Sequence, residues 1–218
     1  MRLIFFGPPG VGKGTQAKLI SEMVRIPQIS TGEILRSAIT AKTELGIEAE
    51  KYMNQGQLVP DNLIMDMITL VLERPENANG FILDGFPRTV PQAKGLHELL
   101  KKLKMSLDCV VQLVVPEEVI VKRLVNRRIC SFCGMEHNLI YKPIPEDGKC
   151  ANCGNMEFIQ RPDDNEETIR KRLNIYHRST TPVLVFFEKL NVLRKIEGAQ
   201  VVNKVTEDIV AALKIKVE

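Results

Sequence analysis

The stretch that decides the fold is Leu3-Ile4-Phe5-Phe6-Gly7-Pro8-Pro9-Gly10-Val11-Gly12-Lys13-Gly14-Thr15. An apolar run that fits a buried strand is followed by a glycine-rich loop and then by a helical pattern over residues 16–24. Glycines let the backbone curl so that its N–H groups point at phosphate oxygens, and the dipole of the following helix favours the same anions. Lys13 adds a mobile positive charge and Thr15 a hydroxyl. The stretch therefore predicts a phosphate-binding loop.

One position departs from the general pattern G-x-x-x-x-G-K-[ST]. Gly14 stands where serine or threonine is usual, and the hydroxyl of Thr15 comes one residue later. A plain turn rich in glycine and proline is the alternative interpretation. The lysine in register, with a strand before the loop and a helix after it, favours the phosphate loop.

Length and composition indicate one substantial domain with excursions. The chain has 218 residues, of which 44% are hydrophobic and 26% charged, and its net charge of +3 is too small to indicate a nucleic-acid partner. It contains no apolar run of about 18 residues, so we expect no transmembrane helix and no membrane partner. A core strand begins within two residues of the N-terminus, which leaves no room for a signal peptide, so we expect a cytoplasmic protein.

Strand-like and helical patterns alternate along the chain. Short β-like runs occupy residues 3–6, 81–83, 110–115 and 192–196, and helical patterns occupy 16–24, 61–73, 92–103, 117–127, 166–189 and 207–214. This alternation predicts an α/β fold with a parallel sheet covered on both faces and ligands at the carboxyl ends of the strands. Residues 30–59 and 129 to about 160 do not fit the alternation, and we interpret both as insertions in one core.

Four cysteines have the spacing of a metal site. They form two Cys-x-x-Cys pairs separated by 16 residues: Cys130, Cys133, Cys150 and Cys153. Gly134 and Gly154 follow the pairs and allow the tight turn that aims two thiolates at one ion. The pattern predicts a structural zinc site, because four thiolates leave no open coordination position. One alternative is four reduced thiols without a metal, and another is iron or cobalt in the same site. The four cysteines complete the ligand set, so His137 is not needed as a ligand. We interpret Cys109 as a small buried apolar residue.

A zinc-bearing segment also suggests a nucleic-acid-dependent ATPase. Residues 131–158, however, contain two lysines and no arginine against four acidic residues, so they form no basic stripe. We therefore interpret the metal as a staple for an insertion too small to build its own core.

An acidic residue and several arginines complete the candidate chemistry. Asp84 ends a strand that we expect beside the first one, where a carboxylate can hold Mg²⁺ through water. Arg123 and Arg127 are predicted to share one face of a helix, since they lie four residues apart. Guanidinium groups suit a reaction among several phosphates, and the candidates are Arg36, Arg88, Arg123, Arg127, Arg161 and Arg172.

The chain resembles adenylate kinases in five segments, which occur in order over essentially its whole length. They are the glycine-rich loop with its Gly14 variant, Ile29-Ser30-Thr31-Gly32-Glu33-Ile34-Leu35-Arg36, Leu83-Asp84-Gly85-Phe86-Pro87-Arg88, Arg127-Arg128, and Arg161-Pro162-Asp163-Asp164-Asn165-Glu166-Glu167. The four-cysteine insertion resembles the long, zinc-bearing lid of bacterial-type members. Two departures are Glu33 in place of the commoner Asp, and Glu136-His137-Asn138 where the family often has an aromatic residue followed by histidine.

The resemblance implies a P-loop kinase fold with a parallel five-stranded sheet flanked by helices. It implies a core made of 1–29, 60–122 and 162–218, a helical nucleoside-monophosphate arm at 30–59 and a small zinc-bearing β lid at 123–161. The implied reaction is MgATP + AMP ⇌ 2 ADP in a monomer that binds ATP, AMP and ADP, with Mg²⁺ and structural Zn²⁺ as metals.

The resemblance also implies site residues. For ATP these are Gly10, Val11, Gly12, Lys13, Gly14, Thr15, Arg123, Arg127, Glu136, His137 and Gln200. For AMP they are Thr31, Arg36, Gln57, Leu58, Val59, Gly85, Phe86, Pro87, Arg88, Gln92, Arg161 and Arg172. The catalytic set is Lys13, Asp84, Arg88, Arg127, Arg161 and Arg172. The amide of Gln92 suits pairing with an adenine edge, because it offers a donor and an acceptor.

Three other functions are alternatives to this one. A regulatory GTPase needs N-K-x-D on a late strand, whereas this chain has Asn203-Lys204-Val205-Thr206. A UMP/CMP kinase of the short-lid type would lack the four-cysteine insertion, and Thr31 and Gln92 suit AMP. A GTP:AMP kinase stays open, because the family reads the donor base largely with main-chain groups.

Overall fold

The structure, a computed structural model, describes residues 1–215, so the last three residues of the predicted core range 162–218 lie outside it. The strands are β1 Arg2–Phe6, β2 Gln28–Ser30, β3 Phe81–Asp84, β4 Cys109–Val114, β5 Arg127–Cys130, β6 Glu136–Asn138, β7 Phe158–Ile159 and β8 Leu193–Glu197. The helices are α1 Lys13–Val24, α2 Thr31–Thr40, α3 Glu44–Met53, α4 Asp61–Leu72, α5 Val90–Lys102, α6 Glu117–Val125, α7 Glu166–Ile175, α8 Val183–Lys189 and α9 Val202–Leu213.

The main sheet confirms the predicted α/β class. Five parallel strands lie in the order β2-β3-β1-β4-β8. Along β1, Leu3 and Phe5 pack into the core on one face, whereas Ile4 and Phe6 pack into the core on the other. Both faces are therefore apolar and covered, as in parallel sheets flanked by helices. This register also brings the carboxyl ends of β1 and β3 together, since Phe5 pairs with Asp84.

The strand β2 was not among the runs predicted from the sequence. It has three residues, of which Ile29 alone is buried, so its apolar signal is too short to separate from a loop. Its last residue, Ser30, pairs with Asp84, which shows that the segment predicted to begin at residue 30 starts on the core sheet.

A second, smaller sheet contains the four-cysteine segment. Its three antiparallel strands lie in the order β6-β5-β7. The predicted helix over residues 117–127 was wrong at its end, because α6 stops at Val125 and Arg127 is the first residue of β5. Arg123 and Arg127 therefore do not share a helix face. Pairing of Arg127 with Asn138 across the small sheet outweighs the local helical pattern.

Two other predicted helices differ from the structure. The single helix predicted over 166–189 is interrupted by a π-helical turn at Tyr176–Thr180, where the Thr181 N–H reaches back to the Tyr176 carbonyl at 2.9 Å. Pro182 then precedes α8, and proline cannot donate the backbone hydrogen bond that a continuous helix needs. The last helix begins at Val202 and not at 207, so Asn203-Lys204-Val205-Thr206 lies in its first turns. Within residues 1–215, no helix is both long and apolar enough to cross a membrane.

Candidate active site and metal centre

The glycine-rich loop connects β1 to α1 in a conformation that only glycine adopts readily. Gly7, Gly10 and Gly12 have φ values of 147°, 76° and 105°. A Cβ on Gly10 would also lie 2.6 Å from Cγ of Leu124, so a side chain there is excluded by space as well. The loop ends at Lys13, the first residue of α1, so a helix N-terminus opens beside it as the sequence predicted.

Lys13 is the first cation of the site. Its Nζ donates to the carbonyl oxygens of Gly7 and Pro8, both at 2.9 Å. Burial lowers the pKa of Lys13 to about 8, with Asp84 opposing the change and Arg88 and Arg172 adding to it.

Asp84 is the carboxylate of the site. It ends β3, is 8% exposed and accepts a hydrogen bond from Gln28 Nε2 at 3.3 Å. Burial raises the pKa of Asp84, while the nearby charges of Lys13 and Arg88 act in the opposite direction. A Cβ on Gly14 would lie 3.4 Å from Asp84 Oδ2, so glycine at position 14 leaves space in front of this carboxylate. A buried carboxylate beside a phosphate loop is a donor set that suits Mg²⁺.

Arg88 is held at three points. Its Nε donates to the Gly85 carbonyl at 2.7 Å, its backbone N–H to Oε1 of Gln92 at 2.7 Å, and its carbonyl accepts from the Thr180 hydroxyl at 2.8 Å. Burial lowers the pKa of Arg88, and repulsion from Arg172 adds to that effect. No role for Thr180 was predicted from the sequence, because a threonine in the polar run Ser179-Thr180-Thr181 does not indicate its partner.

Acidic side chains orient three of the arginines. Arg127 forms a bidentate pair with Asp164, at 2.6 and 2.8 Å, and Arg172 donates to Asp163 at 2.7 Å. Glu136 accepts hydrogen bonds from Arg161 at 2.8 Å and from Arg127 at 3.4 Å. In this structure Glu136 therefore contacts arginines, whereas the sequence predicted that it contacts ATP. Asp163 and Asp164 directly follow Arg161-Pro162 in the chain, but their position in the sequence does not indicate that they pair with Arg172 and Arg127.

The cations lie close enough to influence one another. Burial lowers the pKa of Arg36 to about 10, and repulsion from Arg161 contributes to the shift. Burial likewise lowers the pKa of Arg172. Burial by itself would lower the pKa of Arg127, but the hydrogen bond of Asp164 and the charges of Glu136 and Asp164 raise this pKa overall. Within residues 1–215, Lys13, Arg36 and Arg88 form no ion pair with a carboxylate, so their positive charge favours an anionic ligand.

Several of the residues predicted to bind AMP lie around Arg88. The Thr31 hydroxyl donates to the Gly85 carbonyl at 3.1 Å, and Phe86 is 1% exposed. Gln92 is 2% exposed, and both ends of its amide are hydrogen-bonded within the protein, so contact with a base would use its remaining donor and acceptor. Of the loop predicted at 57–59, Gln57 is exposed, Leu58 is half-buried and Val59 lies in the core.

Arg123 and Gln200 lie on the side of β8. The guanidinium of Arg123 donates to the carbonyls of Val11, at 3.2 Å, and Gly198, at 3.1 Å, and it lies 5.7 Å from the ring centre of Tyr141. Gln200 donates through Nε2 to the Glu197 carbonyl and to Asp208, both at 3.0 Å. Arg123 therefore joins the phosphate loop to the end of β8.

His137 lies inside the small sheet. It is 2% exposed, packs edge-on against Phe158 with ring centres 5.1 Å apart, and burial lowers its pKa. Neither ring nitrogen has a hydrogen-bond partner within the described residues. Its contact with ATP stays a prediction.

The four cysteines converge as the spacing predicted. All four Sγ atoms lie within 4.8 Å of one another. The Sγ–Sγ distance is 3.6 Å between Cys130 and Cys153 and also 3.6 Å between Cys133 and Cys150. A tetrahedral zinc with Zn–S bonds near 2.3 Å requires Sγ separations of about 3.8 Å. The two turns are alike, because Gly134 and Gly154 have φ values of 72° and 75° and donate to the carbonyls of Cys130 and Cys150. The cluster fits a structural zinc.

Removal of this metal is expected to lower stability more than chemistry. We expect Cys150→Ser to abolish stoichiometric zinc and to lower the melting temperature by roughly 5 °C or more, since a metal site contributes folding free energy. Turnover at low temperature should persist, because four thiolates leave no position for substrate. Metal analysis and thermal unfolding test this, with Cys109→Ala, outside the cluster, as the control. A folded, metal-free protein without turnover would contradict the structural assignment.

Three features define the class of protein: a phosphate loop at a switch between parallel strands, a carboxylate on the neighbouring strand, and several arginines that influence one another. They are the features of a P-loop phosphotransferase of the nucleoside monophosphate kinase class. A family model described as adenylate kinase matches residues 5–192. An adenylate kinase from Archaeoglobus fulgidus is 49% identical over 99% of this chain and 100% of its own length. Those from Acetivibrio thermocellus and Chloroherpeton thalassium are 46% and 49% identical, over 98% and 96% of both chains. The chain belongs to the adenylate kinase family.

Proposed function

We propose that this protein transfers the γ-phosphoryl group of MgATP to AMP and so forms two ADP. The main support for the proposal is a group of neighbouring cations that begins at the loop: Lys13 and the arginines Arg36, Arg88, Arg127, Arg161 and Arg172. Their mutual effects on pKa indicate that they share one region. A single triphosphate is served by a loop and a lysine, whereas two nucleotides that meet end to end bring more phosphates than these can neutralise.

On the donor side, we propose that Gly10 to Thr15 hold the ATP phosphates. Arg123 would approach the phosphates from the last turn of α6 and Arg127 from the start of β5, and Gln200 would lie near the adenine. Asp84 would hold Mg²⁺, which when bound to ATP neutralises charge on its terminal phosphates. The hydrogen bonds of Arg123 to Val11 and Gly198 support this proposal, because they tie that arginine to the loop.

On the acceptor side, we propose that Thr31, Arg36, Arg88 and Gln92 hold AMP, assisted by Gln57 to Val59 and Gly85 to Pro87. Arg161 and Arg172 would lie between the two nucleotides. Phosphoryl transfer in line requires positioning and charge stabilisation, with little need for a general base. Rigid attachment of Arg88 through Gly85, Gln92 and Thr180 supports such positioning.

We propose that two segments close over the nucleotides: the arm at 30–59 and the zinc-bearing lid at 123–161, both carried by the core. Closure would exclude water, which competes with AMP as acceptor, and would bring the arginines of the lid to the phosphates. A monomeric state, a cytoplasmic location and the absence of nucleic-acid and membrane partners stay predictions.

A panel of donors and acceptors tests the proposal. Formation of nucleoside diphosphate is measured for ATP and GTP, each paired with AMP, CMP and UMP. We expect the largest kcat/KM for ATP with AMP. Preference for GTP would assign the protein to GTP:AMP kinases, and preference for UMP or CMP would replace the acceptor; absence of AMP-dependent ADP formation would contradict the proposal.

The pKa of Lys13, about 8, predicts how activity depends on pH. The kcat/KM for MgATP reports the free enzyme, so it should fall about tenfold per unit above pH 8 as the ammonium loses the proton that attracts phosphate. The profile of kcat should fall only at higher pH, because bound phosphates stabilise the ammonium. Lys13→Arg should lose this fall, since arginine stays charged; an unchanged fall in that variant would contradict the assignment.

The same pKa has a consequence for stability. In the unfolded chain the lysine keeps its proton up to about 10.5, whereas in the folded chain it loses it near 8. The unfolded state therefore binds more protons between these values, and Lys13 makes folding more favourable as pH rises through that window.

A further inference from the structure

The amide of Gln92 is fixed in one orientation by two partners that cannot exchange roles. Its Nε2 donates to Asp61 Oδ1 at 2.7 Å, and its Oε1 accepts from the backbone N–H of Arg88 at 2.7 Å. A carboxylate can only accept and a backbone N–H can only donate. A flipped amide would set two acceptors against each other and two donors against each other. The chemistry of the partners therefore decides the orientation.

Asp61 is itself held in place. It is the first residue of α4, and its Oδ2 accepts from the Thr89 hydroxyl at 2.9 Å. The Thr89 oxygen accepts in turn from the Gln92 backbone N–H at 3.2 Å and caps α5. The carboxylate thus joins the start of α4, directly after the proposed arm, to the helix that carries Gln92.

These bonds leave the amide with one donor and one acceptor, neither of which has a partner within residues 1–215. The two groups occupy defined positions because the amide cannot flip. Adenine presents an amino group beside a ring nitrogen that accepts, so it can pair with both. Hypoxanthine and guanine present a carbonyl beside a ring N–H, which reverses the order and sets like groups against each other.

We propose that Asp61 is a specificity-determining positioning residue: by fixing the amide of Gln92, it makes the acceptor site select 6-aminopurine over 6-oxopurine monophosphates. The inference rests on the proposed function, in which Gln92 faces the acceptor base. Cytosine presents the same order of groups as adenine, so the fixed amide does not discriminate against CMP.

The test compares AMP with inosine monophosphate (IMP), two acceptors that differ at this edge of one ring system. For the unmodified protein we expect kcat/KM to favour AMP by about 100-fold or more, because a buried polar group left mispaired is costly. In Asp61→Ala only the Arg88 N–H still orients the amide, so a flipped amide mispairs with one partner and no longer with two. The AMP:IMP ratio should therefore narrow by about tenfold, with KM for MgATP changed less than about twofold. Asp66→Ala is the matched control, since Asp66 is exposed on the same helix, and should keep the ratio.

Asp61→Asn keeps the test valid if Asp61→Ala does not fold. Asparagine has nearly the same shape and can present either a donor or an acceptor to Gln92, so the ratio should narrow here too, by a smaller factor. Parallel losses for AMP and IMP, with the ratio unchanged in both variants, would overturn the inference and leave Asp61 a merely structural role. Failure of the unmodified protein to phosphorylate AMP would overturn the proposed function and this inference with it.

Discussion

Replacement of Arg88 by alanine is expected to lower kcat/KM for ADP formation by about 10³-fold, the scale of an arginine that stabilises a transferring phosphoryl group. Within residues 1–215, Arg88 has no carboxylate in ion-pair contact, so its charge is left for a ligand. Its removal strands no acidic partner, and the free energy of unfolding should change by less than about 1 kcal/mol. Steady-state kinetics and urea unfolding measure the two effects.

Two variants control this experiment. Arg88→Lys keeps the charge but loses the planar fork, so its activity should lie between those of alanine and arginine. Arg170→Ala removes an arginine from α7 that pairs with Glu166 and Glu118 at the surface, and it should leave activity almost unchanged. Near-normal turnover of Arg88→Ala would remove Arg88 from the site.

Replacement of Arg127 by alanine is expected to reduce both stability and activity. The side chain of Asp164 is fully buried, that of Arg127 is 13% exposed, and two hydrogen bonds join them. Loss of the arginine leaves an uncompensated buried carboxylate, so the free energy of unfolding should fall by about 3–5 kcal/mol at neutral pH. The loss should shrink as pH falls, because protonation neutralises Asp164.

A double replacement separates the two effects. In Arg127→Met combined with Asp164→Leu, the buried charges disappear together, so most of the stability should return. Activity should stay low, because the proposed contact of Arg127 with ATP is still missing. Recovery of activity together with stability would mean that Arg127 acts only through the fold, and chemical unfolding beside steady-state kinetics tests this.

The parts of the structure that the sequence predicted are those encoded by neighbouring residues. The short segment from Gly7 to Thr15 contains the loop glycines, the lysine and the start of the helix, and the spacing of the two Cys-x-x-Cys pairs predicts the metal cluster. The apolar runs of β1 and β4 predict buried strands. In each case the physical requirement is local: a positive φ, a ligand spacing or a run of apolar residues.

The parts that were missed depend on partners distant in sequence. Arg127 belongs to a strand because of its pairing with Asn138, and the helical pattern through residue 127 gave no sign of that. Asp61 accepts hydrogen bonds from Thr89 and Gln92, 28 and 31 positions away in the chain, and Thr180 donates to the carbonyl of Arg88, 92 positions away. No sequence motif indicates these contacts. Tertiary context decides such roles.

The measurement that tests the central claim most directly follows the terminal phosphate of ATP. The protein is incubated with ATP labelled at the γ-phosphorus, AMP and Mg²⁺, and the products are separated. We predict that the label passes to the β-position of newly formed ADP, with two ADP formed for each ATP consumed. Release of the label as inorganic phosphate, with AMP unchanged, would show that water is the acceptor and would contradict the account.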